Sequence, residues 1–348
     1  MYNLDFILGQ VALLNHLLLD AVRLRAIAEV PVALQFSGGL DSTLIRTATR
    51  RLGLQLDAYC VTMDEIDHLA VARRAAPGAS ITPVRVNKDA FFSALSDVVY
   101  HLDTPATWTA VCLWLLNERI AQDDHRVVLS GEGADELFLG YTRYRALFWL
   151  EQALADPLLS AYQPLITRAL QDPEDACALL LDRGDNALTR AHARAWIQTF
   201  GGQEPHAAAR LGRTELATTL QVLLRMGDRT ASAHSLENRC PFLDYRIVEF
   251  ALRTPVDCLV TQRESKAILR HLGRRWALAS SVVSEKTKRG LAVPWNLWDP
   301  SHAVEGLGQG SARGAWDRRS FASLMQQTWR DSLVSRHQPC PKLAPKSR

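Results

Sequence analysis

The stretch "VALQFSGGLDSTLI", residues 32–45, carries the strongest structural signal in the chain. An apolar run ends at a serine and two glycines, and an aspartate follows after one leucine. An unbroken apolar run is typical of a strand buried on both faces, and residues 43–53 then show helical periodicity up to a glycine stop. The stretch therefore predicts a buried strand, a turn with little side chain, and a helix.

The same alternation continues along the first 145 residues. Further strands are predicted at residues 56–62, 81–86 and 126–130, and helices at 8–29, 66–76, 90–101 and 109–122. Strands alternating with helices predict an α/β fold with a parallel sheet covered on both faces. From about Tyr141 to Arg275 the pattern is almost only helical, and residues 183–214 give the weakest signal.

These patterns predict the organisation of the chain. We expect a lead-in helix in residues 1–30, an α/β core in 31–145, a helical region in 146–300 that completes the same domain, and a C-terminal extension in 301–348 with a mobile basic tail.

The composition excludes several classes of protein. The 348 residues are 47% hydrophobic with a net charge of +3, which gives no support to a nucleic-acid partner. Charged and polar residues interrupt the leucine-rich segment 11–30, so we expect no membrane span, and no basic region near Met1 suggests a signal peptide. The six cysteines lie far apart without a C-x-x-C pair, which predicts free thiols in the cytoplasm.

The glycine turn has the composition of a phosphate site. Ser37, Gly38 and Gly39 lie between a strand and a helix, where backbone N–H groups and the helix N-terminus bind phosphate oxygens. An ordinary tight turn would have the same residues. Asp41, one residue further into the helix, would repel phosphate unless a cation lay between them, and this favours a magnesium ligand over a helix cap.

A second strand end carries three acids. In "VVLSGEGADELFLGY", residues 127–141, a buried strand leads to Ser130 and Gly131 and then to Glu132, Asp135 and Glu136. So many carboxylates in five residues repel one another unless a metal, a substrate amine or a lysine compensates. A solvated acidic loop is the alternative.

These stretches resemble a known family. "SGGLDST" is similar to the pyrophosphate loop of the ATP pyrophosphatase (PP-loop) superfamily and is not a Walker A motif, and residues 127–141 resemble the signature of the asparagine synthetase family. Residues 223–252, with "PFLD", and "ESKAILRHL" followed by "SEKTKRGLAVP" resemble two further family segments. The resemblance covers about residues 10–298.

The resemblance implies roles for individual residues. ATP phosphates would bind at Ser37, Gly38, Gly39 and Ser42, and adenine would contact the backbone near Leu34, Val61, Ser130 and Gly131. Mg²⁺ would bind Asp41 and Asp135, although Asp135 could instead be a helix N-cap. Lys266, on a predicted helix, and Lys288 would bind pyrophosphate and developing negative charge, whereas a solvated basic loop is the alternative for Lys288. Glu132 would be the general base, Asp228 and Arg229 would position substrate, and Glu237 with Arg239 would form a buried pair.

The implied reaction is formation of an amide. A substrate carboxylate attacks the α-phosphorus of ATP and gives an acyl-adenylate and pyrophosphate, and ammonia or an amine then attacks the adenylate. The β-lactam-forming relatives have tyrosine at the position of Glu132, so its presence favours ammonia or an intermolecular amine. ATP and Mg²⁺ are the implied cofactors, and no membrane partner is expected.

Two departures from the family leave the substrates open. Only about thirty residues precede the Ser37 loop, so we expect no N-terminal glutaminase and a supply of ammonia or amine from solution, from a separate glutaminase or from another pathway partner. The segment "HLDTPATWTAVCLW" also differs from the usual family loop. An intramolecular lactam or macrolactam cyclase and an inactive synthetase-like subunit are the alternatives.

Overall fold

The computed structural model describes residues 4–105, 107–155, 187–285, 291, 293–294, 298 and 325–331. The strands are β1 (Val32–Gln35), β2 (Asp57–Thr62), β3 (Ile81–Arg85), β4 (Val127–Leu129) and β5 (Glu237–Arg239). The helices of the first half are α1 (Leu4–Arg25), α2 (Leu40–Arg51), α3 (His68–Ala75), α4 (Lys88–Leu102), α5 (Trp108–Gln122), α6 (Ala134–Leu137) and α7 (Thr142–Ala155). The later helices are α8 (Ala187–Phe200), α9 (Ala207–Ala217), α10 (Thr219–Ser232), α11 (Tyr245–Arg253), α12 (Val256–Leu259), α13 (Ala267–Arg275) and α14 (Ser280–Val283).

The five strands form one parallel sheet in the order β3-β2-β1-β4-β5. β1 is central: Leu34 lies beside Ala58 of β2 on one side and beside Leu129 of β4 on the other. The chain runs outward from β1 through β2 to β3, and the other half of the sheet starts at β4. Ligands of such sheets bind at the carboxyl ends of the strands where the direction of winding changes, here between β1 and β4.

Successive strand residues supply two cores on opposite faces of the sheet. Leu34 and Phe36 pack in one core with α1, α2 and α13, whereas Ala33 packs in the other with α4 and α5. All three side chains are at most 1% exposed. Because neighbouring residues of a strand point to opposite faces, an apolar run without alternation is what a strand covered on both faces requires. The prediction of a parallel α/β fold is confirmed.

The pattern after Tyr141, which is almost only helical, does not indicate β5. This edge strand contains the polar residues Glu237, Asn238 and Arg239, so neither its composition nor its periodicity indicates a strand. Tertiary pairing creates it: the amide of Ser130 donates to the carbonyl of Arg239 at 3.0 Å, and the amide of Glu237 donates to that of Arg126 at 2.8 Å. A segment from the predicted helical region therefore completes the sheet of the core.

Helix α1 is built into the domain through one face. Val11, Leu14 and Leu18 are at most 2% exposed and belong to the core formed with α2 and α13. The indole of Trp276 donates to Asn15 Oδ1 at 2.7 Å, and Arg25 pairs with Asp244 at 2.8 Å. α1 is long and apolar enough to span a membrane by length and composition, but buried helices of globular domains meet the same criterion.

The poorly patterned segment 183–214 contains α8 and most of α9. A buried cluster joins α9 to α7: Glu215, 2% exposed, accepts a hydrogen bond from the hydroxyl of Tyr144 and pairs with Arg143 at 2.5 Å. Removing either Arg143 or Glu215 would leave the charge of the other buried without its ion-pair partner. This cluster fixes the helical region beside α6 and the end of β4. The predicted basic tail lies outside the described residues, which include only 325–331 of the C-terminal extension.

Four cysteines lie in the described part of the chain, and all four are free thiols as predicted. Cys60, Cys112 and Cys258 are buried, and Cys240 is partly buried beside β5. Burial raises the pKa of the Cys112 thiol to about 12, so this thiol stays protonated and packs as a small apolar side chain.

Candidate active site

The turn after β1 has the geometry of an anion-binding loop. Gly39 is the N-cap residue of α2, and among the described residues no side chain caps this helix. The amide of Gly39 donates only weakly to Ser37 Oγ, at 3.3 Å, and the hydroxyls of Ser37 and Ser42 lie 3.3 Å apart. Ser37 and Gly39 are exposed. The loop therefore presents hydroxyls and amides at the N-terminus of a twelve-residue helix, where phosphate is favoured.

Gly38 is required in this turn for two separate reasons. Its φ of +74° lies in the left-handed region that favours glycine. A Cβ at this position would also lie 2.5 Å from the Cα of Ala72, because α3 packs directly on the turn. The glycine thus fixes the loop against α3 and leaves its opposite side for a ligand.

The end of β4 lies against the start of α2. A Cβ at Gly131 would be 3.1 Å from the Cβ of Asp41 and 3.5 Å from the amide nitrogen of Ser42. Ser130, 1% exposed, has its hydroxyl 3.4 Å from Cys240 Sγ. The two glycine-containing strand ends that the sequence places 92 positions apart, at Gly39 and Gly131, are therefore neighbours in the structure.

A lysine joins the acids of the two strand ends. Lys266 Nζ donates to Asp41 Oδ1 and Oδ2 at 2.8 and 2.7 Å, and pairs with Asp135 Oδ1 at 2.8 Å. The lysine side chain is 7% exposed, and those of Asp41 and Asp135 are 20% and 9% exposed. Burial opposes the charged lysine, but the two carboxylates outweigh it, and the pKa of Lys266 is raised above its ordinary value. The lysine is a fixed positive charge beside the glycine loop.

Lys266 lies just before a helix and not inside it. It is the N-cap residue of α13 with φ +53° and ψ +38°, a left-handed conformation that is uncommon for a side chain with Cβ. Such backbone strain persists where the surroundings enforce it and is frequent at functional sites. Gly140 supplies the space, because a Cβ there would lie 2.0 Å from Asp135 Oδ1 and 2.1 Å from Lys266 Cε.

Asp41 and Asp135 could hold a magnesium ion. Both carboxylates reach one nitrogen, so they can share one cation, and the lysine ammonium stands in that position. Within the described ranges, no group of three or more His, Cys, Asp or Glu residues forms a ready-made metal site. Two carboxylates are nevertheless the usual protein share of a Mg²⁺ site in which phosphates and water complete the coordination. The N-cap of α6 is Gly133, with Asp135 in the first turn, so the alternative of Asp135 as a cap is wrong.

Glu132 lies partly buried beside these acids. Its Oε2 accepts a hydrogen bond from Asn238 Nδ2 at 3.1 Å and a weaker one from Cys240 Sγ at 3.6 Å. Burial raises the pKa of Glu132 to about 7, the two hydrogen bonds lower it, and the charges of Glu136 and Asp228 raise it. A carboxyl group that titrates near neutral pH is suited to exchange protons with a reacting group.

Two neighbours of Glu132 were missed by sequence analysis. Asn238 belongs to β5, and Cys240 directly follows it, so both reach Glu132 only through the pairing of β5 with β4. Burial, and then the charge of Glu132, raises the pKa of the Cys240 thiol to about 12, so the thiol is a donor. Their position before the "PFLD" turn is the only sequence signal that could have indicated them.

The residues predicted to position substrate lie in different surroundings. Asp228 of α10 is exposed and close enough for its charge to raise the pKa of Glu132. Arg229 donates to the carbonyl of Leu102 at 2.8 Å and so binds the last residue of α4. This contact ties two helices together, and a role of Arg229 in substrate binding stays a prediction.

The remaining predicted site residues include parts of the scaffold. Leu34 and Val61 are 1% and 7% exposed with side chains in the cores, so only their backbone atoms could contact a base. Glu237 and Arg239 pair at 2.8 Å as predicted, but the prediction that the pair is buried is wrong, because the glutamate side chain is 62% exposed. Lys288 lies outside the described residues.

The "PFLD" turn is scaffold, as its place in the structure shows. Asp244 caps α11 through the amide of Arg246 and accepts from the guanidinium groups of Arg246 and Arg25 at 2.8 to 3.0 Å. The hydrogen bonds from Arg246, together with that from Arg25, lower the pKa of Asp244 to about 2. The ionised aspartate therefore anchors α1 to α11 behind β5.

The chain is similar to known proteins over most of its length. A family model described as "Asparagine synthase" matches residues 13–341. A Mycobacterium tuberculosis protein named "Putative asparagine synthetase [glutamine-hydrolyzing]" is 31% identical over 315 residues, which are 80% of this chain and 47% of that protein. "Asparagine synthetase [glutamine-hydrolyzing] 1" of Bacillus subtilis is 25% identical over 80% of this chain and 49% of its own length.

A relative with a different description also matches. "Amidase chyE" of Penicillium rubens is 27% identical over 68% of this chain and 45% of its own length. The chain thus spans about half the length of the curated relatives it matches. Because the family model covers most of the chain, the chain belongs to the asparagine synthase family.

Proposed function

We propose that this protein is an ATP-dependent, AMP- and pyrophosphate-forming amide ligase. It activates a carboxylate as an acyl-adenylate and transfers the acyl group to ammonia or an amine. One observation carries the proposal: beside a glycine loop at the switch point of a parallel sheet, Asp41 and Asp135 converge on a single cation position. Nucleotides bind at switch points of this kind, and phosphate with a divalent cation requires this combination of groups.

The first step forms the adenylate. A carboxylate oxygen of the substrate bonds to the α-phosphorus, and the bond between that phosphorus and the bridging oxygen breaks to release pyrophosphate. Charge develops on the leaving group, and the amides of Ser37 to Gly39 together with the ammonium of Lys266 are placed to stabilise it. Asp41 and Asp135 would hold Mg²⁺ in place of the Lys266 ammonium, and the ion when bound supplies positive charge to the phosphate oxygens.

The second step forms the amide. The amine nitrogen bonds to the acyl carbon, the bond to the AMP oxygen breaks, and one proton must leave the nitrogen. Glu132 is placed to accept this proton, because its pKa of about 7 leaves a large ionised fraction at neutral pH while keeping the carboxylate basic. The proposal makes Glu132 the general base of aminolysis and gives it no part in the release of pyrophosphate.

The relatives define the range of substrates to test. The mycobacterial and Bacillus relatives are named asparagine synthetases and the Penicillium relative an amidase, so aspartate and other carboxylic acids both belong in the panel. Ammonia enters as the simplest amine. A separate glutaminase is the partner we propose as its source.

The decisive experiment follows the phosphorus products. The protein is incubated with ATP, Mg²⁺ and one carboxylic acid at a time, with and without ammonium, and the products are resolved by ³¹P NMR. We expect AMP and pyrophosphate with the correct acid, whereas ADP and phosphate would contradict attack at the α-phosphorus. Release of pyrophosphate and AMP from a single amine-containing acid without ammonium would indicate the intramolecular cyclase instead.

A matched pair of variants separates the two steps. Glu132→Gln keeps the size of the side chain but removes the base, so adenylate formation, measured as ATP–pyrophosphate exchange, should stay within about threefold of wild type. Amide formation should fall about 10²–10⁴-fold, the usual contribution of a general base. Equal losses in both steps would exclude the proposed role of Glu132.

A further inference from the structure

Asn238 touches the proposed base but has no part in the mechanism so far. It is the middle residue of β5, and its side chain lies on the face of the strand opposite to those of Glu237 and Arg239. Its Nδ2 donates to Glu132 Oε2 at 3.1 Å. This hydrogen bond fixes the orientation of the carboxamide, because its oxygen would repel an ionised carboxylate.

The other end of the carboxamide is an acceptor without a donor. Within the described part of the chain, Oδ1 of Asn238 is buried and no hydrogen-bond donor reaches it. Leaving a buried acceptor unsatisfied costs about 1–3 kcal/mol, so such groups in native proteins call for an explanation. A ligand that carries N–H groups would satisfy it.

A glycine lets Glu132 and Asn238 pack closely against α10. Gly227 of α10 faces both side chains: a Cβ there would lie 2.7 and 2.9 Å from the two carboxylate oxygens of Glu132 and 3.0 Å from Asn238 Nδ2. Any side chain at this position would push against the carboxylate and the carboxamide together. The base and the carboxamide of Asn238 are therefore held together against the bare backbone of one helix.

We propose that Asn238 is the residue that positions the incoming amine. Its Nδ2 holds Glu132, and its Oδ1 accepts one N–H of the amine while Glu132 takes the proton that leaves. The nitrogen lone pair is then directed by two fixed acceptors, which reduces the orientational freedom that the aminolysis step has to lose. This inference rests on the proposed function and adds the recognition of the nitrogen nucleophile.

Binding of an amine to Asn238 can be measured without turnover. The protein is labelled with ¹⁵N in asparagine side chains, the Asn238 signal is assigned with Asn238→Leu, and ammonium chloride is titrated against tetramethylammonium chloride at equal ionic strength. We expect a saturable shift of the Asn238 signal with ammonium only, since tetramethylammonium has no N–H. The exposed Asn87, which caps α4, is the internal control and should not move. Absence of an ammonium-specific shift overturns the inference.

Kinetics of matched variants then separate recognition from a structural role. In Asn238→Leu we expect ATP–pyrophosphate exchange within about twofold of wild type and a KM for ammonium raised about tenfold or more, as the loss of one buried hydrogen bond predicts. Asn87→Leu makes the same change at the exposed cap of α4, outside the site, and should leave that KM unchanged. An unchanged KM for ammonium in Asn238→Leu overturns the inference about Asn238 but not the proposed function. Failure of the wild type to release pyrophosphate with any acid overturns the proposed function, and the NMR titration then decides whether Asn238 binds an amine.

Discussion

Lys266→Met is the substitution whose effect can be calculated most directly from the structure. Methionine keeps the unbranched shape of the side chain and removes the ammonium. Asp41 and Asp135, 20% and 9% exposed, then face each other without the cation that lies within 2.8 Å of both. Breaking a buried ion pair by removing one partner costs about 3–5 kcal/mol, because the acids that remain lose the opposite charge that offset their burial.

This cost converts into a change in melting temperature. Unfolding entropy is about 2.1 cal/mol/K per residue, so for 348 residues a loss of about 3–5 kcal/mol lowers the midpoint by about 4–7 °C if the chain unfolds cooperatively. Because the folded pKa of Lys266 is raised above 10.5, the stabilisation is complete below that pH and is lost as the pH rises through the folded pKa. The difference between wild type and variant should therefore be full at pH 7 and shrink in strong alkali.

The assay is thermal unfolding followed by circular dichroism with one control variant. Lys88→Met removes the same charge from an exposed position at the start of α4, where surface substitutions change stability by less than about 0.5 kcal/mol. Mg²⁺ should stabilise Lys266→Met more than wild type, since the two acids are then open to the ion. A midpoint within 1 °C of wild type, or equal stabilisation of both proteins by Mg²⁺, would refute the proposed shared cation position.

Three further substitutions test other parts of the site. Glu132→Gln should stabilise the protein at pH 8 by about 2 kcal/mol, after allowance for the partial exposure of Glu132. Because the pKa of the carboxyl group is raised in the folded protein, the stability that this group contributes below pH 4.5 is lost as the pH rises through about 7. Denaturant titrations at pH 5 and pH 8 measure the effect of the substitution, and an equal effect at both pH values would contradict this reasoning. Gly140→Ala should cost about 1–3 kcal/mol and weaken nucleotide binding, since the new methyl overlaps the ion cluster, whereas Gly9→Ala, with open space in α1, should stabilise by up to about 1 kcal/mol. Gly38→Ala should abolish ATP binding measured by calorimetry, because the new methyl group would overlap α3. The control Gly53→Ala, at a glycine with a similar positive φ but open space around it, should cost only about 1–2 kcal/mol of stability. Intact ATP binding by Gly38→Ala would contradict the assignment of this loop as the phosphate site.

The first four strands could be predicted because each is specified locally. β2, β3 and β4 lie within one residue of the predicted bounds, and β1 lies inside the apolar run of residues 32–36, since a strand buried on both faces needs such a run. β5 has no such run. Its three polar residues become a strand only because the edge of β4 offers hydrogen-bond partners, and this is information from a segment more than a hundred residues away.

The site also has parts that local sequence indicates and parts that depend on tertiary structure. The glycine loop and the acids after β4 could be found from residue type and position, because phosphate and metal ions require particular chemical groups at the ends of strands. The sequence did not show that Lys266 lies before its helix in a left-handed conformation and bridges both acids. It also did not show which neighbouring side chains donate hydrogen bonds to Glu132 and lower its pKa.

Local patterns of hydrophobicity and residue chemistry specify the α/β class, the positions of the first four strands along the chain, the glycine loop and the identity of the acids. The packed domain is needed to bring Asp41 and Asp135 to one lysine and to bring Asn238 and Cys240 to Glu132. Distances between residues far apart in the chain follow from strand order and helix packing, and a raised carboxyl pKa follows from burial that only the packed domain creates.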